Sequence, residues 1–439
     1  MRLKAVINVV IICVLINIFS FKSTSADILG RERQFDKLSV TEGLSNDYIT
    51  TIFQDSKGYM WIGTQDGLNR YDGEVVKTYN ADINSSNSLS STYINVIVED
   101  DFGNIWIGTD NGLDIIINNI YDVVRVKEYK NIKYNLGEVE ITAILNTSYE
   151  ENIMLVGTSN GLIKLNIETW EAEEFYNDEG DDNSLTNSYI TCLEEDLYNC
   201  IWVGTKNGIN IIDKDFKIAY SQTKIYENKL FIYDIGSNSL GEMWISTKEG
   251  IIIYHINNVE SMQIVILPND GVKLYSFDED KIESILENQY IDIYNNSFIM
   301  SDSKDNMWIS SSDGIKVYFR DIMEMVEFKK DIKIQNDLSS NVITCFYEDI
   351  NGVIWIGTDR GVNILTGNKQ FNHTIRNDQG GGLLYDKDIM SILQHGEQIW
   401  VATKFNGIYI YNKAGDLITH LEKSDSEINL NDNYIKNMF

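Results

Sequence analysis

The chain has 439 residues and carries 36 Lys and Arg against 66 Asp and Glu, a formal net charge of −30 at pH 7. That balance disfavours nucleic acid and anionic membrane surfaces as partners, because phosphate binding needs clustered cations. Four cysteines without a CxxC spacing imply neither a disulfide framework nor a zinc site.

Residues 1–26 read as a signal peptide. Arg2 and Lys4 form a positive start, Ala5 to Phe21 an apolar stretch, and Thr24-Ser25-Ala26 a small-residue site for cleavage before Asp27. The chain is therefore expected to be exported, to the extracellular or cell-surface side of the cytoplasmic membrane. An uncleaved anchor is the alternative, opposed by Asn8, Asn17 and the shortness of the stretch. No later apolar run reaches membrane-spanning length. Loss of Cys13 would leave Cys192, Cys200 and Cys345, read as buried free thiols. Simple pairing across the Glu195 to Tyr198 turn sets Leu193, not Cys192, opposite Cys200.

From residue 35 onward the chain repeats itself. The stretch 35–40 resembles the end of a repeat whose beginning is missing, an outer strand able to complete a closed ring of blades. Tyr48 to Gln54 then reads as strand A, Met60 to Thr64 as strand B, Leu68 to Tyr71 as strand C and Val75 to Tyr79 as strand D. The octet WIGTQDGL at Trp61 returns at 106, 155, 202, 244, 308, 355 and, with one extra residue, at 400. The intervals are 45, 49, 47, 42, 64, 47 and 45, a period that suits four-stranded propeller blades.

Trp61, Trp106, Trp202, Trp244, Trp308, Trp355 and Trp400 occupy one repeat position; Leu155 replaces Trp in the third repeat, and only Trp170 lies outside the register. Strand B is apolar throughout, as expected where both faces pack on neighbours, so these tryptophans are read as wedges between blades. The glycine two residues later is expected to leave them room. Gly67, Gly112, Gly161, Gly208, Gly250, Gly314 and Gly361 are read as the glycines of tight B–C hairpins. Ser246 and Ser310 stand where other repeats have the glycine of strand B, which predicts less regular packing there.

The long interval before Trp308 predicts an insertion within 259–296, a short helix around Ile282, Ile285 and Leu286 or an extra hairpin. After the anchor at Trp400, residues from Asn429 resemble the start of another repeat. The fold predicted is all-β: a seven-bladed β-propeller of four-stranded blades over 35–367, followed at 368–439 by the first blade or blades of a second, incomplete propeller.

The unit LSNDYITTIFQDSKGYMWIGTQDGLNRYDG at 44–73 resembles the two-component regulator propeller repeat. That resemblance implies the extracellular sensor part of a hybrid histidine kinase or diguanylate cyclase, with a membrane-linked output domain or second propeller as partner. The output kinase or cyclase is not among these residues, so no enzyme activity is expected of them.

Chemical motifs are sparse. Asp101 to Trp106 resembles a sialidase Asp-box, a turn former and not a catalyst; Arg31, Arg33, Arg70, Arg125, Arg320, Arg360 and Arg376 show no recurrent cluster for a substrate carboxylate. His255, His373, His395 and His420 lack metal spacing, and the acidic run Asn177 to Asp182 lacks the alternation of a calcium loop. Gly380 to Gly382 reads as a turn. No metal and no cofactor are expected. Small ligands gather where the D–A and B–C connections surround a propeller channel. The candidate ligand-binding residues there are Gln65, Asp66, Asp110, Asn111, Lys206, Asn207, Lys248, Glu249, Asp359 and Arg360. Their polar mix suits a carbohydrate or peptide, and it equally suits solvent-exposed turns. The expected function is an extracytoplasmic ligand-sensing module, with a homodimer as one route of coupling. The alternatives are a surface protein-interaction propeller and, further off, a sialidase-like or lyase-like enzyme.

Overall fold

A computed structural model describes residues 35–82, 85, 87–118, 120–126, 136–181, 183–222, 224–225, 228–248, 250–256, 262–268, 273–276, 297–321, 324–331, 337–365, 389–395, 398–412 and 417–421. The signal peptide, Glu249, the helical spacing at Ile282, the Gly380 turn and the repeat beginning at Asn429 lie outside these residues.

Two compact units divide between Thr366 and Gly367. Among the described residues, the first holds seven antiparallel sheets of four or five strands and a small hairpin of Lys224–Ile225 with Asn228–Lys229. In blade 1, strands A to D are Ile49–Gln54, Met60–Thr64, Gly67–Tyr71 and Val76–Tyr79. Strand A begins at Ile94, Ile141, Ile190, Ile232, Ile299 and Ile343 in blades 2 to 7. Blade 7 takes its outer strand from the beginning of the described chain: Phe35–Leu38 pairs with Gly361–Leu365, Phe35 opposite Leu365 and Leu38 opposite Val362. The expected orphan strand thus closes the last blade and covers its free edge.

The apolar strand B is buried at every residue in Met60–Thr64, Ile105–Thr109, Ile201–Thr205 and Ile354–Thr358. Each wedge packs against the following blade. Trp61 meets Ile94 and Ile107, Trp202 meets Ile232 and Ile245, and Trp355 meets Ile49 and Ile62, which closes the ring. A buried indole N–H needs an acceptor. The aspartate six residues upstream provides it: Trp61 Nε1 donates to Asp55 Oδ2 at 2.8 Å, and Trp106, Trp202, Trp308 and Trp355 repeat the bond to Asp100, Asp196, Asp302 and Asp349. Asp55 Oδ1 accepts from Lys57 and Tyr59 amides, so one carboxylate folds the A–B turn and satisfies the core. Where the pair changes, it changes together. Blade 3 has Leu155 and, where strand A ends eight residues before it, Thr147 in place of the aspartate; in blade 5 Trp244 donates to Glu242 at 3.2 Å, a carboxylate that Arg320 holds at 2.6 Å.

Two expectations need correcting. Gly63 does not make room for Trp61: a Cβ there would lie 2.6 Å from Thr51 Cγ2 and 2.8 Å from Ile94 Cγ2, so the space serves the strand-A isoleucine of the next blade. Gly357 stands in the same relation to Ile49. Cys200 is not opposite Leu193 either. The Asp196 amide donates to the Cys200 carbonyl, the turn spans that interval, and Leu193 faces Val203. Cys192, Cys200 and Cys345 are free thiols, Cys192 buried and the other two half-buried.

The long interval contains an added strand. Blade 5 has five strands, with Lys273–Ser276 beyond Met262–Pro268. Blade 6, which follows, has a strand A of only Ile299–Ser301, and Ser310 Oγ accepts from the Phe298 amide at 2.7 Å. The second unit shows one four-stranded sheet, Ile389–His395, Gln398–Thr403, Ile408–Asn412 and Leu417–Leu421. Trp400 is half-buried there, beside Ile408, Ile410 and Leu421.

Candidate functional site: the mouth of the propeller channel

The residues before strand A aim its first side chains. Leu44, Leu89, Leu185 and Leu338 are buried anchors. The next residue is held by a buried strand-C side chain: the Ser45 amide donates to Asn69 Oδ1 at 2.9 Å, Ser90 to Asp114, Thr186 to Asn210 and Ser339 to Asn363. One residue further, Asn46 Oδ1 accepts from the Tyr48 amide at 2.7 Å and Asn187 repeats this at Tyr189, short Asx turns that launch the strand. Pairing with strand B then skips one residue in each of blades 1 to 5 and 7. The skipped residues are Thr50, Asn95, Thr142, Thr191, Tyr233 and Thr344. A bulge leaves one residue out of the ladder and re-aims its side chain, here repeatedly at the inner strand of the ring.

Four of the skipped residues, Thr50, Asn95, Thr142 and Thr344, line a cavity of about 560 Å³, within the size range of small-molecule sites. Tyr48 and Thr50 of blade 1, Tyr93 and Asn95 of blade 2, and Glu140 and Thr142 of blade 3 line one side. Phe298 with Ser310, Ser311 and Ser312 of blade 6, and Asn341 to Thr344 of blade 7, line the other. The hydroxyl oxygens of Thr50, Thr142 and Thr344 are buried without a hydrogen-bond partner among the described residues, and Thr344 is only 5% exposed. Unmet hydroxyls cost free energy, and a ligand or water in the cavity can satisfy them. Glu140 Oε2 accepts from the Tyr189 hydroxyl at 2.9 Å. Burial above all, then Tyr93 and Asp359, raise the Tyr48 hydroxyl above its ordinary pKa. The described lining contains one carboxylate and no lysine, arginine, histidine or cysteine.

Nine of the ten turn residues singled out from the sequence are described; they are on the same face but do not line this cavity. Gln65, Asp66, Asp110, Asn111, Lys206, Lys248 and Arg360 are exposed, Asn207 and Asp359 half-buried. Their backbone explains the placement. The amides of Gln65, Asp110, Lys206 and Asp359 donate to the carbonyls of Tyr48, Tyr93, Tyr189 and Val342, which sets each B–C turn beside the start of strand A. The glycines that close these turns have the expected backbone, Gly67 at φ 116° and Gly361 at φ 93°. The residues singled out from the sequence are in the turns; the strand starts that line the cavity are not among them. The signal was present: a tyrosine stands four residues after the leading leucine in LSNDY, LSSTY and LTNSY, as Glu140 and Val342 stand after Leu136 and Leu338.

A second acidic feature lies between blades 4, 5 and 6. Glu194 Oε1 accepts from the amide and hydroxyl of Ser237, and Asp234 accepts from the amides of Ile235 and Ile299. Burial pushes both carboxyls up to about 7, and Glu194 adds to the rise at Asp234.

A ring of such blades, with a polar cavity at its mouth, defines a β-propeller. The chain carries repeats of a particular kind: the family model for the two component regulator propeller matches residues 43–66, 88–111 and 337–360. Over 71 residues, 16% of this chain and 5% of that protein, the chain is 35% identical to histidine kinase P4 of Formosa agariphila. The extracellular domain assigned to a hybrid two component system of B. thetaiotaomicron superposes with a TM-score of 0.56 at 19% identity, covering 93% of this chain and 50% of that one. This chain therefore spans about half the length of that domain. Virginiamycin B lyase from Staphylococcus aureus shares the fold with a TM-score of 0.50 at 12% identity, over 76% of this chain and 99% of that one.

Proposed function

We propose that this chain is the extracytoplasmic ligand-sensing part of a membrane signal-transduction protein, and that its ligand sits in the mouth of the propeller channel. The observation that carries this is the cavity to which five blades contribute, with unpartnered buried hydroxyls in its wall. The family repeats and the likeness to histidine kinase P4 support the signalling context. On this reading residues 35–367 form the first propeller, 368–439 begin a second, and the signal peptide exports both. The chain binds and does not catalyse; the output domain belongs to the rest of the signalling protein. Coupling requires the ligand to favour one arrangement of the propellers, or of a homodimer, over another.

A thermal-shift panel of sugars, peptides and amines on the purified chain tests this. A ligand at 100 times its Kd stabilises the folded state by about 2.7 kcal/mol, a readable rise in Tm. Thr344→Val and Asn95→Ala should diminish the rise. A panel without any shift, or a shift indifferent to both substitutions, would remove the basis for the proposal.

A further inference from the structure

Three blades place a tyrosine at the same position at the start of strand A: Tyr48, Tyr93 and Tyr189. In blade 4 the chain itself puts a cation on that ring. Lys206, first residue of the adjoining B–C turn, sets its Nζ 3.2 Å from the Tyr189 ring centroid, while the Tyr189 hydroxyl donates to Glu140. In blades 1 and 2 the equivalent turn residues are Gln65 and Asp110, joined to Tyr48 and Tyr93 by the same backbone bond. Among the described residues no lysine or arginine lies over either ring, and none lines the cavity. An ammonium over a tyrosine face is attracted by the ring quadrupole, more strongly when desolvated.

The charge in the described wall of the cavity has one sign, with Lys206 and Arg360 on the rim outside it. Glu140 is in the wall, Asp110 and Asp359 flank the turns beside Tyr93 and Val342, and the whole chain carries −30. A cleft of one sign with low-dielectric walls concentrates ions of the other sign. We propose that the channel mouth takes a small organic cation, an alkylammonium or quaternary ammonium compound, seated on the faces of Tyr48 and Tyr93 with Glu140 as its counter-charge. This rests on the sensing function proposed above, for which it names the ligand class. Thr50, Thr142 and Thr344 then accept from or donate to the polar end of the ligand.

The test is calorimetric titration of the full chain with choline and with its neutral carbon isostere, 3,3-dimethylbutan-1-ol. Choline should bind at least about tenfold more tightly than the isostere. Tyr93→Phe, which keeps the ring, should retain that affinity, whereas Tyr93→Leu and Glu140→Gln should each weaken it about fivefold or more. Equal binding of the isostere, or no binding of choline, overturns the cation assignment, and so does affinity indifferent to Glu140→Gln in a variant of unchanged Tm. A neutral sugar bound in the same cavity while choline is not would overturn it and leave the sensing function standing. A panel in which nothing binds ends both.

Discussion

Glu194→Gln should stabilise this protein at alkaline pH and lose that advantage as the solution is acidified. Burial holds the Glu194 carboxyl at about 7, with Glu195 adding to the rise and Ser237 opposing it through two hydrogen bonds. Across the strand interface Asp234 is also raised to about 7, and its partners are the amides of Ile235 and Ile299. A carboxyl with a raised folded-state pKa binds its proton more tightly in the native state. Its stabilising contribution is therefore complete below the ordinary carboxylate value of about 4.3 and is lost as pH rises through about 7. Each unit corresponds to about 1.4 kcal/mol, so some 2–3 kcal/mol disappears between pH 5 and pH 8.5. Gln cannot ionise, and its Oε1 still accepts from the Ser237 amide and hydroxyl. The assay is urea unfolding followed by tryptophan fluorescence from pH 5 to 8.5, above the sequence pI of 4.4. The variant should gain on wild type by about 2–3 kcal/mol across that interval. A parallel pH dependence, or a variant weaker at pH 8.5 than at pH 5, would refute the reasoning.

Further consequences follow from the packing. Gly63→Ala should cost about 1–3 kcal/mol by calorimetry, because the added methyl meets Thr51 and Ile94 inside van der Waals distance. Asp55→Asn places an amide N–H₂ or loses an acceptor where Oδ1 and Oδ2 now serve two backbone amides and the Trp61 indole, so a loss of about 1–3 kcal/mol is expected in the same measurement. Burial pushes the Cys345 thiol up to about 12 and the Cys200 thiol to about 11, and raises Cys192 well above its ordinary value. All three should resist alkylation at pH 8 in the folded protein and react once it is unfolded in urea; labelling followed by mass spectrometry decides this.

The blade was legible in the sequence because its central strand is buried on both faces. Burial removes the period-2 alternation and leaves a run such as Met60 to Thr64 that repeats with its tryptophan. Closure was legible for a related reason: Phe35 to Leu38 lacks a preceding octet, and an unpaired outer strand has one economical place to go. The aspartate that receives the indole N–H of Trp61, Trp106, Trp202, Trp308 and Trp355 was also written in the chain, six residues before each of them, and its concerted change in blades 3 and 5 is the mark of a real contact.

The site was less legible. A bulge at Thr50 or Thr344 is a skipped pairing, and no residue type compels it. Whether Tyr48 or Gln65 faces the channel depends on how far the turn stands off the strand start, which the Gln65 amide to Tyr48 carbonyl bond sets and composition does not. The cavity also joins residues as far apart in sequence as Tyr48 and Thr344, brought together only when the ring closes. Gly63 was misassigned for the same reason, since the atom that needs its space, Ile94 Cγ2, belongs to the next blade.

Occupancy of the channel mouth can be read directly from a crystal structure of the full chain soaked with the strongest ligand of the thermal-shift panel. Ligand density should lie among Tyr48, Tyr93, Glu140 and Thr344, within hydrogen-bond reach of a hydroxyl that is now unpartnered. A ligand seated elsewhere on the protein, with the channel mouth holding only water, would contradict the proposed site.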